Sequence, residues 1–267
     1  MAKMIQFISG LPRSGSTLLS ALLLQNPRFR AGVSSPLCRL VKDMSHSMSE
    51  RFEGSLFIDD AMRERMLRGI FEAYYPDGDV VFDTNRGWCA SMPLLHKLFP
   101  ASTVICCVRG IPEILDSIEQ LAIRNVLQPS GLFGYEAGGT IYTRVDKLMR
   151  AGGMVSYACD ALREACFGAH ADKLLLVRYS SLCQYPDRTM RLIYEAIGEE
   201  MHVHDYYNVQ FDSEEYDRRL GSPGLHRVKP KVELTERTGI LPPDLVERYN
   251  GWAFWEQPEG IQGVKVI

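Results

Sequence analysis

No stretch of this chain comes near the roughly eighteen consecutive apolar residues of a membrane-spanning helix, so no membrane span is expected. Positive charge is not in surplus either. With 30 basic and 33 acidic residues the formal net charge is −3, which provides no global field to draw in nucleic acid or anionic lipid. Any anion site must be local. The seven cysteines, at 38, 89, 106, 107, 159, 166 and 183, are odd in number and form no C-x-x-C pair. That spacing argues against a disulfide framework and against a zinc site, and no metal is expected. Internal repeats, low-complexity tracts and linker-like stretches are also missing, which leaves no seam for a second domain. The opening Met1-Ala-Lys-Met-Ile-Gln-Phe-Ile8 has too short an apolar run for the core of a signal peptide. The expectation is a soluble, cytoplasmic protein, one domain over 1–267, whose fold begins almost at residue 1.

What is present points to an α/β protein. A hydrophobic content of 46% over 267 residues is ample for one large core. Short apolar runs at Met4–Ser9, Val80–Asp83, Thr103–Val108 and Leu174–Val177 read as buried strands. Between them lie helical patterns around 17–25, 59–73, 91–98, 112–124, 142–150, 155–167 and 186–197. Near-continuous apolar strands alternating with helices predict a central parallel sheet covered on both faces, a three-layer fold of the P-loop NTPase type. After Gly198 the character changes to aromatic and charged residues, with a basic segment Leu225-His-Arg-Val-Lys-Pro-Lys231 and a short helix near 244–249; 199–267 is read as a C-terminal extension.

The first strand runs into Gly10-Leu-Pro-Arg-Ser-Gly-Ser-Thr17, which fits G-x-x-x-x-G-K-[ST] except that Ser16 stands where the lysine belongs. A glycine-rich loop leading into a helix converges backbone N–H groups on an anion, and the helix dipole adds attraction. Lysine in such a loop serves the transferred phosphate of a nucleoside triphosphate, alongside an acid that helps to hold magnesium. Here the only positive charge within the loop is Arg13, and the only carboxylate at a strand end is Asp83. The site is equipped for a less charged leaving group.

At these residues the chain resembles the sulfotransferases that use 3′-phosphoadenosine 5′-phosphosulfate (PAPS). Leu11-Pro-Arg-Ser-Gly-Ser-Thr-Leu18 is similar to that family's phosphosulfate loop. The resemblance implies that Pro12, Arg13, Ser14, Gly15, Ser16 and Thr17 contact the phosphosulfate. A sulfuryl group carries less charge than a phosphoryl, which rationalises the absent lysine. About 90 residues further on, Val104-Ile-Cys-Cys-Val-Arg109-Gly-Ile-Pro-Glu-Ile-Leu-Asp-Ser117 is similar to the family's 3′-phosphate motif, and Arg109 and Ser117 take its arginine and serine positions. Val177-Arg-Tyr179, ahead of Pro186, resembles the strand whose tyrosine lies near the adenine. Gly224–Lys231 occupies the place of the loop that folds over the nucleotide, which implicates Leu225, His226, Arg227 and Lys229. The resemblance runs from the first strand to this loop and implies PAPS as donor, with adenosine 3′,5′-bisphosphate as product.

In-line sulfuryl transfer to a hydroxyl or amine also needs a general base. The cytosolic branch of that family has a histidine in a K-T-H triplet, where this chain reads Asp83-Thr84-Asn85-Arg86; the tyrosylprotein branch has a glutamate in G-E-E, where it reads Gly32-Val33-Ser34-Ser35. Both base positions are lost. Asp83 is the first candidate, with capping of the following turn as its other reading, and His46 and His226 stand in reserve. Arg13 would stabilise the leaving oxygen, and Arg86 would grip an acidic acceptor, assist departure or make a structural ion pair. The acceptor is expected to be a small metabolite or a peptide tyrosine, although the segments 34–60 and 125–150 carry no motif that names it. Gly138-Gly139-Thr140 reads as a mobile loop beside that pocket. A P-loop kinase or nucleotidase, or a nucleotide-binding protein without catalysis, are the competing readings.

Overall fold

In a computed structural model, residues 3–49, 53–128, 139–235, 238–257, 260–261 and 263–267 are described. Gly138, in the glycine pair expected to form a mobile loop, lies outside them.

The chain runs β1 (Met4–Gly10), α1 (Ser16–Leu23), β2 (Phe29–Arg30), α2 (Leu37–Ser49), α3 (Asp60–Tyr74), β3 (Val80–Thr84) and α4 (Met92–Leu98). It continues through β4 (Val104–Val108), α5 (Ile111–Arg124), α6 (Ile141–Met149), α7 (Met154–Phe167), β5 (Leu174–Arg178), α8 (Tyr179–Gln184) and α9 (Pro186–Ile197). Last come α10 (Glu214–Arg219), α11 (Pro243–Asn250) and β6 (Lys265–Val266). The six strands form one sheet in the order β2-β3-β1-β4-β5-β6, and every pairing is parallel.

The apolar strands explain the layers. Successive side chains of a strand point to opposite faces, so a run buried throughout needs cover on both sides. Phe7, Val81, Val104, Cys106, Leu174 and Leu176 enter one core, with apolar residues of α2, α3, α4, α5, α6 and α7. Ile8, Phe82, Ile105, Cys107, Leu175 and Val177 enter the other, with α1, α8 and α9. Phe7 anchors the larger core, its ring centroid 5.1 Å from Trp88, 5.7 Å from Phe99 and 6.0 Å from Phe71. All seven cysteines are free and buried.

Four strands fall where the apolar runs predict them. The other two, β2 and β6, are two-residue edge strands too short to carry a run of their own. Because β3, β1 and β4 are parallel neighbours, the turns after all three open on the same end of the sheet. In open α/β sheets that is the ligand-binding end.

Candidate active site

The opening loop is shaped by two glycines. Gly10 has φ of +96°, and a Cβ there would lie 2.4 Å from the Cys107 carbonyl oxygen, which instead accepts from the Leu11 N–H at 2.9 Å. Gly15 has φ of +97° and begins α1 without a side-chain cap; a Cβ there would lie 2.8 Å from the Tyr179 ring. Between them Arg13 has φ of 57°, the one non-glycine residue at positive φ among the described residues. Such a conformation costs about 1–3 kcal/mol and persists where surrounding contacts impose it. The first turn of α1 holds no acid, so its N–H groups face the loop's hollow without a competing negative charge.

The contacts that impose it come from three distant parts of the chain. Arg13 Nε donates to Ser117 Oγ at 3.2 Å, and Arg13 Nη1 donates to the Leu225 carbonyl. Arg109, at the end of β4, donates through Nη1 to the Arg13 carbonyl at 3.5 Å and through Nε to Glu113 at 2.7 Å. Its guanidinium carbon lies 4.5 Å from the centre of the Tyr179 ring, a cation–π contact with the first residue after β5. The expected phosphosulfate, 3′-phosphate and adenine positions are therefore neighbours in space.

They line a cavity of about 290 Å³, closed on its far side by the segment from Leu225 to Thr235. Pro12, Arg13, Gly15, Ser16, Thr17, Arg109, Ser117, Tyr179, Leu225, His226, Arg227 and Lys229 all line it, as does Arg86. The covering segment is held by backbone bonds from Val209 N to the Pro230 carbonyl (2.7 Å) and from Val232 N to the Tyr206 carbonyl (2.8 Å). Lys229 Nζ donates to Thr235 Oγ1 at 2.7 Å.

Charge in the cavity is one-sided. Arg13, Arg86, Arg109, Arg227, Lys229 and Lys231 face a single acid among the described residues, Glu233, which is 3.0 Å from Lys231. Arg86 has no carboxylate and no hydrogen-bond acceptor for its guanidinium among the described residues. It is exposed to the cavity but walled in by protein, and that desolvation pulls its pKa below the ordinary guanidinium value, with Tyr216 pulling the other way. The Thr84 hydroxyl, buried at the same wall, is also without a partner among the described residues. Six cationic side chains and an orphaned hydroxyl around one hollow are a donor set suited to a polyanion.

Three expected residues lie elsewhere. Ser14 is buried beneath the loop, its hydroxyl donating to the Pro12 carbonyl at 3.2 Å, so it braces the cradle from behind. His46 is exposed on α2 and does not line the cavity. Asp83 is fully buried, with Oδ1 accepting from Trp88 Nε1 and Oδ2 from the Tyr75 hydroxyl, both at 2.7 Å. Strand parity is the reason: Val81 and Asp83 face the Phe7–Trp88 core, while Thr84 reaches the cavity. Burial pushes the Asp83 pKa up, and hydrogen bonds from Ser35, Tyr75 and Trp88 partly offset it. Asp83 ties α3 and the turn 86–91 to β3 and so fixes where Arg86 stands. The residues missed by sequence reading are Tyr216, which lines the cavity, and Asp217, which hydrogen-bonds His226. No local motif marks either.

The six-strand parallel sheet flanked by helices is an α/β fold whose strand-end turns converge on one cavity. The sulfotransferase family model matches residues 6–203, and the chain belongs to that family. It is 23% identical to protein-tyrosine sulfotransferase 1 of Danio rerio over 256 residues, which cover 92% of this chain and 64% of that protein. It is 23% identical to protein-tyrosine sulfotransferase 2 of Gallus gallus over 201 residues, 72% of this chain and 50% of that one. The chain thus spans less than two thirds of the length of these relatives. Among solved structures, the fold is similar to the sulfotransferase domain from the curacin biosynthetic pathway (TM-score 0.52, 14% identity, covering 98% of this chain and 92% of that one). It is also similar to sulfotransferase STF9 from Mycobacterium avium (TM-score 0.50, 15% identity, covering 100% and 78%). No helix among the described residues is long and apolar enough to cross a membrane.

Proposed function

We propose that this sulfotransferase takes its sulfuryl group from PAPS and passes it to a hydroxyl or amine, on a small metabolite or a peptide tyrosine, by in-line displacement. The observation that carries the reading is the joining of Arg13, Ser117, Arg109 and Tyr179 around one cavity lined by six cationic side chains. The loop N–H groups and Arg13 would hold the phosphosulfate, Arg109 and Ser117 the 3′-phosphate, and Tyr179 the adenine, with Arg227 and Lys229 closing from above. Ser14 contributes by bracing that loop. The donor supplies an activated sulfuryl group; what the chain supplies is position and positive charge at the bridging oxygen where negative charge grows.

Peptide tyrosine as acceptor rests on the names of the Danio and Gallus relatives. A triphosphate-dependent kinase is disfavoured because Ser16 stands where the loop lysine would serve the transferred phosphate.

Isothermal titration with adenosine 3′,5′-bisphosphate and with ADP, each with and without magnesium, tests this reading. Expected is metal-independent preference for the bisphosphate. Arg109→Ala should weaken it about 10- to 100-fold, the worth of one charge-assisted hydrogen-bonding group. Preference for ADP, or indifference to Arg109, would overturn it.

A further inference from the structure

With Asp83 sealed in the core, the proposed reaction needs a proton acceptor from elsewhere, and the covering segment holds one. His226 lines the cavity, and its Nδ1 lies 2.6 Å from Asp217 Oδ1. The second carboxylate oxygen, Oδ2, accepts from the His226 backbone N–H at 2.8 Å. Asp217 is only 2% exposed and sits on α10, whose end is tied to the covering segment by the bond from Ser222 N to the Asp217 carbonyl, 2.9 Å. Both carboxylate oxygens are thus spent on one residue. A carboxylate accepts and does not donate, so it fixes the neutral ring with its proton on Nδ1 and leaves the Nε2 lone pair bare. Nε2 has no hydrogen-bond partner among the described residues.

The ring's position is fixed relative to the transfer site as well. Leu225, the residue before His226, gives its carbonyl to Arg13, inside the loop that would hold the phosphosulfate. Tyr216 flanks the ring at 5.4 Å between centroids, nearly perpendicular at 67°.

We infer that His226 is the general base of the transfer and that Asp217 is its positioning residue. The inference rests on the sulfotransferase reading given above. In the step, the acceptor's O–H or N–H gives its proton to His226 Nε2 while the acceptor atom bonds to sulfur. The bond from sulfur to the bridging oxygen of the phosphosulfate breaks, and its electron pair leaves on that oxygen as adenosine 3′,5′-bisphosphate. Asp217 balances the imidazolium, which afterwards returns its proton to water.

The titratable groups facing the ring are Asp217 and the neutral Tyr216 phenol from α10, Arg13 from the opening loop and Arg86 from the turn after β3. Desolvation lowers the His226 pKa, Asp217 raises it, and Arg13 and Arg86 lower it again, for a net position below the ordinary histidine value. The base is therefore neutral and competent at pH 7, and the rate is lost only as pH falls through that depressed pKa.

The tautomer of His226 and the hydrolysis of PAPS, with water as acceptor so that no other acceptor need be known, test the assignment. Nitrogen-15 NMR of the wild-type chain should place the His226 proton on Nδ1, with that tautomer no longer fixed in Asp217→Asn. His226→Gln should bind adenosine 3′,5′-bisphosphate within about threefold of wild type. It should hydrolyse PAPS about 100-fold more slowly, the lower range of general-base effects. Added imidazole should restore hydrolysis to His226→Ala, and Asp217→Asn should lower kcat with KM unchanged and move the acid limb of the pH profile. An Nε2–H tautomer, or wild-type PAPS hydrolysis by a bisphosphate-binding His226→Gln, would overturn the dyad while leaving the donor assignment standing. Failure of the wild-type chain to bind the bisphosphate would instead remove the sulfotransferase mechanism and the dyad together.

Discussion

Adding one methyl group at Gly15 tests the whole cradle. In Gly15→Ala the backbone must keep φ near +97°, a region that costs an L-residue about 1–3 kcal/mol. The new Cβ would also stand 2.8 Å from the Tyr179 ring, which must swing away. That movement breaks the 4.5 Å approach of Arg109 to the ring, worth about 0.5–1 kcal/mol. The expected loss is therefore about 1.5–4 kcal/mol, a fall in Tm of about 3–8 °C for a chain of this size. Urea unfolding gives the stability and titration with adenosine 3′,5′-bisphosphate the affinity, which should drop at least tenfold because the ring and guanidinium no longer share one position. Repeating the substitution in a Tyr179→Ala background separates the two contributions, since only backbone strain remains there. A Gly15→Ala protein with unchanged stability and affinity, or a loss wholly independent of Tyr179, would refute the account of this loop.

Other outcomes follow from the same contacts. Arg86→Ala should leave the fold as stable or up to about 1 kcal/mol more stable, because an unpaired enclosed charge is removed, yet should cut PAPS turnover about 100-fold. Unfolding curves and rates on one preparation decide it. Asp83→Asn should cost about 1–3 kcal/mol, since the amide cannot accept from both Tyr75 and Trp88, while turnover changes less than about tenfold. A large catalytic loss in a stable Asp83→Asn protein would return Asp83 to the mechanism. Phe7→Ala should cost about 3–5 kcal/mol by emptying the centre of the aromatic group, read from the urea midpoint. His204 is buried and its pKa is held down to about 4, chiefly by desolvation. The unfolded chain, titrating near the ordinary 6.5 or so, binds a proton there first, so stability is full above about pH 6.5 and falls by up to about 3 kcal/mol towards pH 4. His204→Phe should flatten that slope.

The parts of the site that were legible are those whose chemistry is local. A cradle for an anion needs glycines at fixed steps and a helix to follow, so Gly10 through Thr17 announce themselves in a line of text. Arg109 and Ser117 were readable for a similar reason, because a strand end and the next helix hold them at constant separation. Asp83 was misplaced by one step of strand parity: the run Val80–Thr84 shows that a carboxylate reaches the end of β3, but its face depends on Trp88 and Tyr75 arriving from other elements. The dyad of Asp217 and His226 was invisible as a pair because α10 has only six residues and the turn after it sets the geometry. Edge strands β2 and β6 escaped because their pairing, rather than their composition, makes them strands.

The hydrogen bond from Arg13 to the Leu225 carbonyl links the earliest turn of the chain to a residue made more than two hundred positions later. During synthesis the opening loop and the strands around it can assemble first, since β1, β3, β4 and β5 are all complete by Arg178. The hollow above them stays open until Leu225 has left the ribosome. A chain halted before that point would present the loop to solvent without its cover or the His226 imidazole. Closure of the hollow is on this account a late event, set by the segment around Leu225 rather than by the opening loop itself.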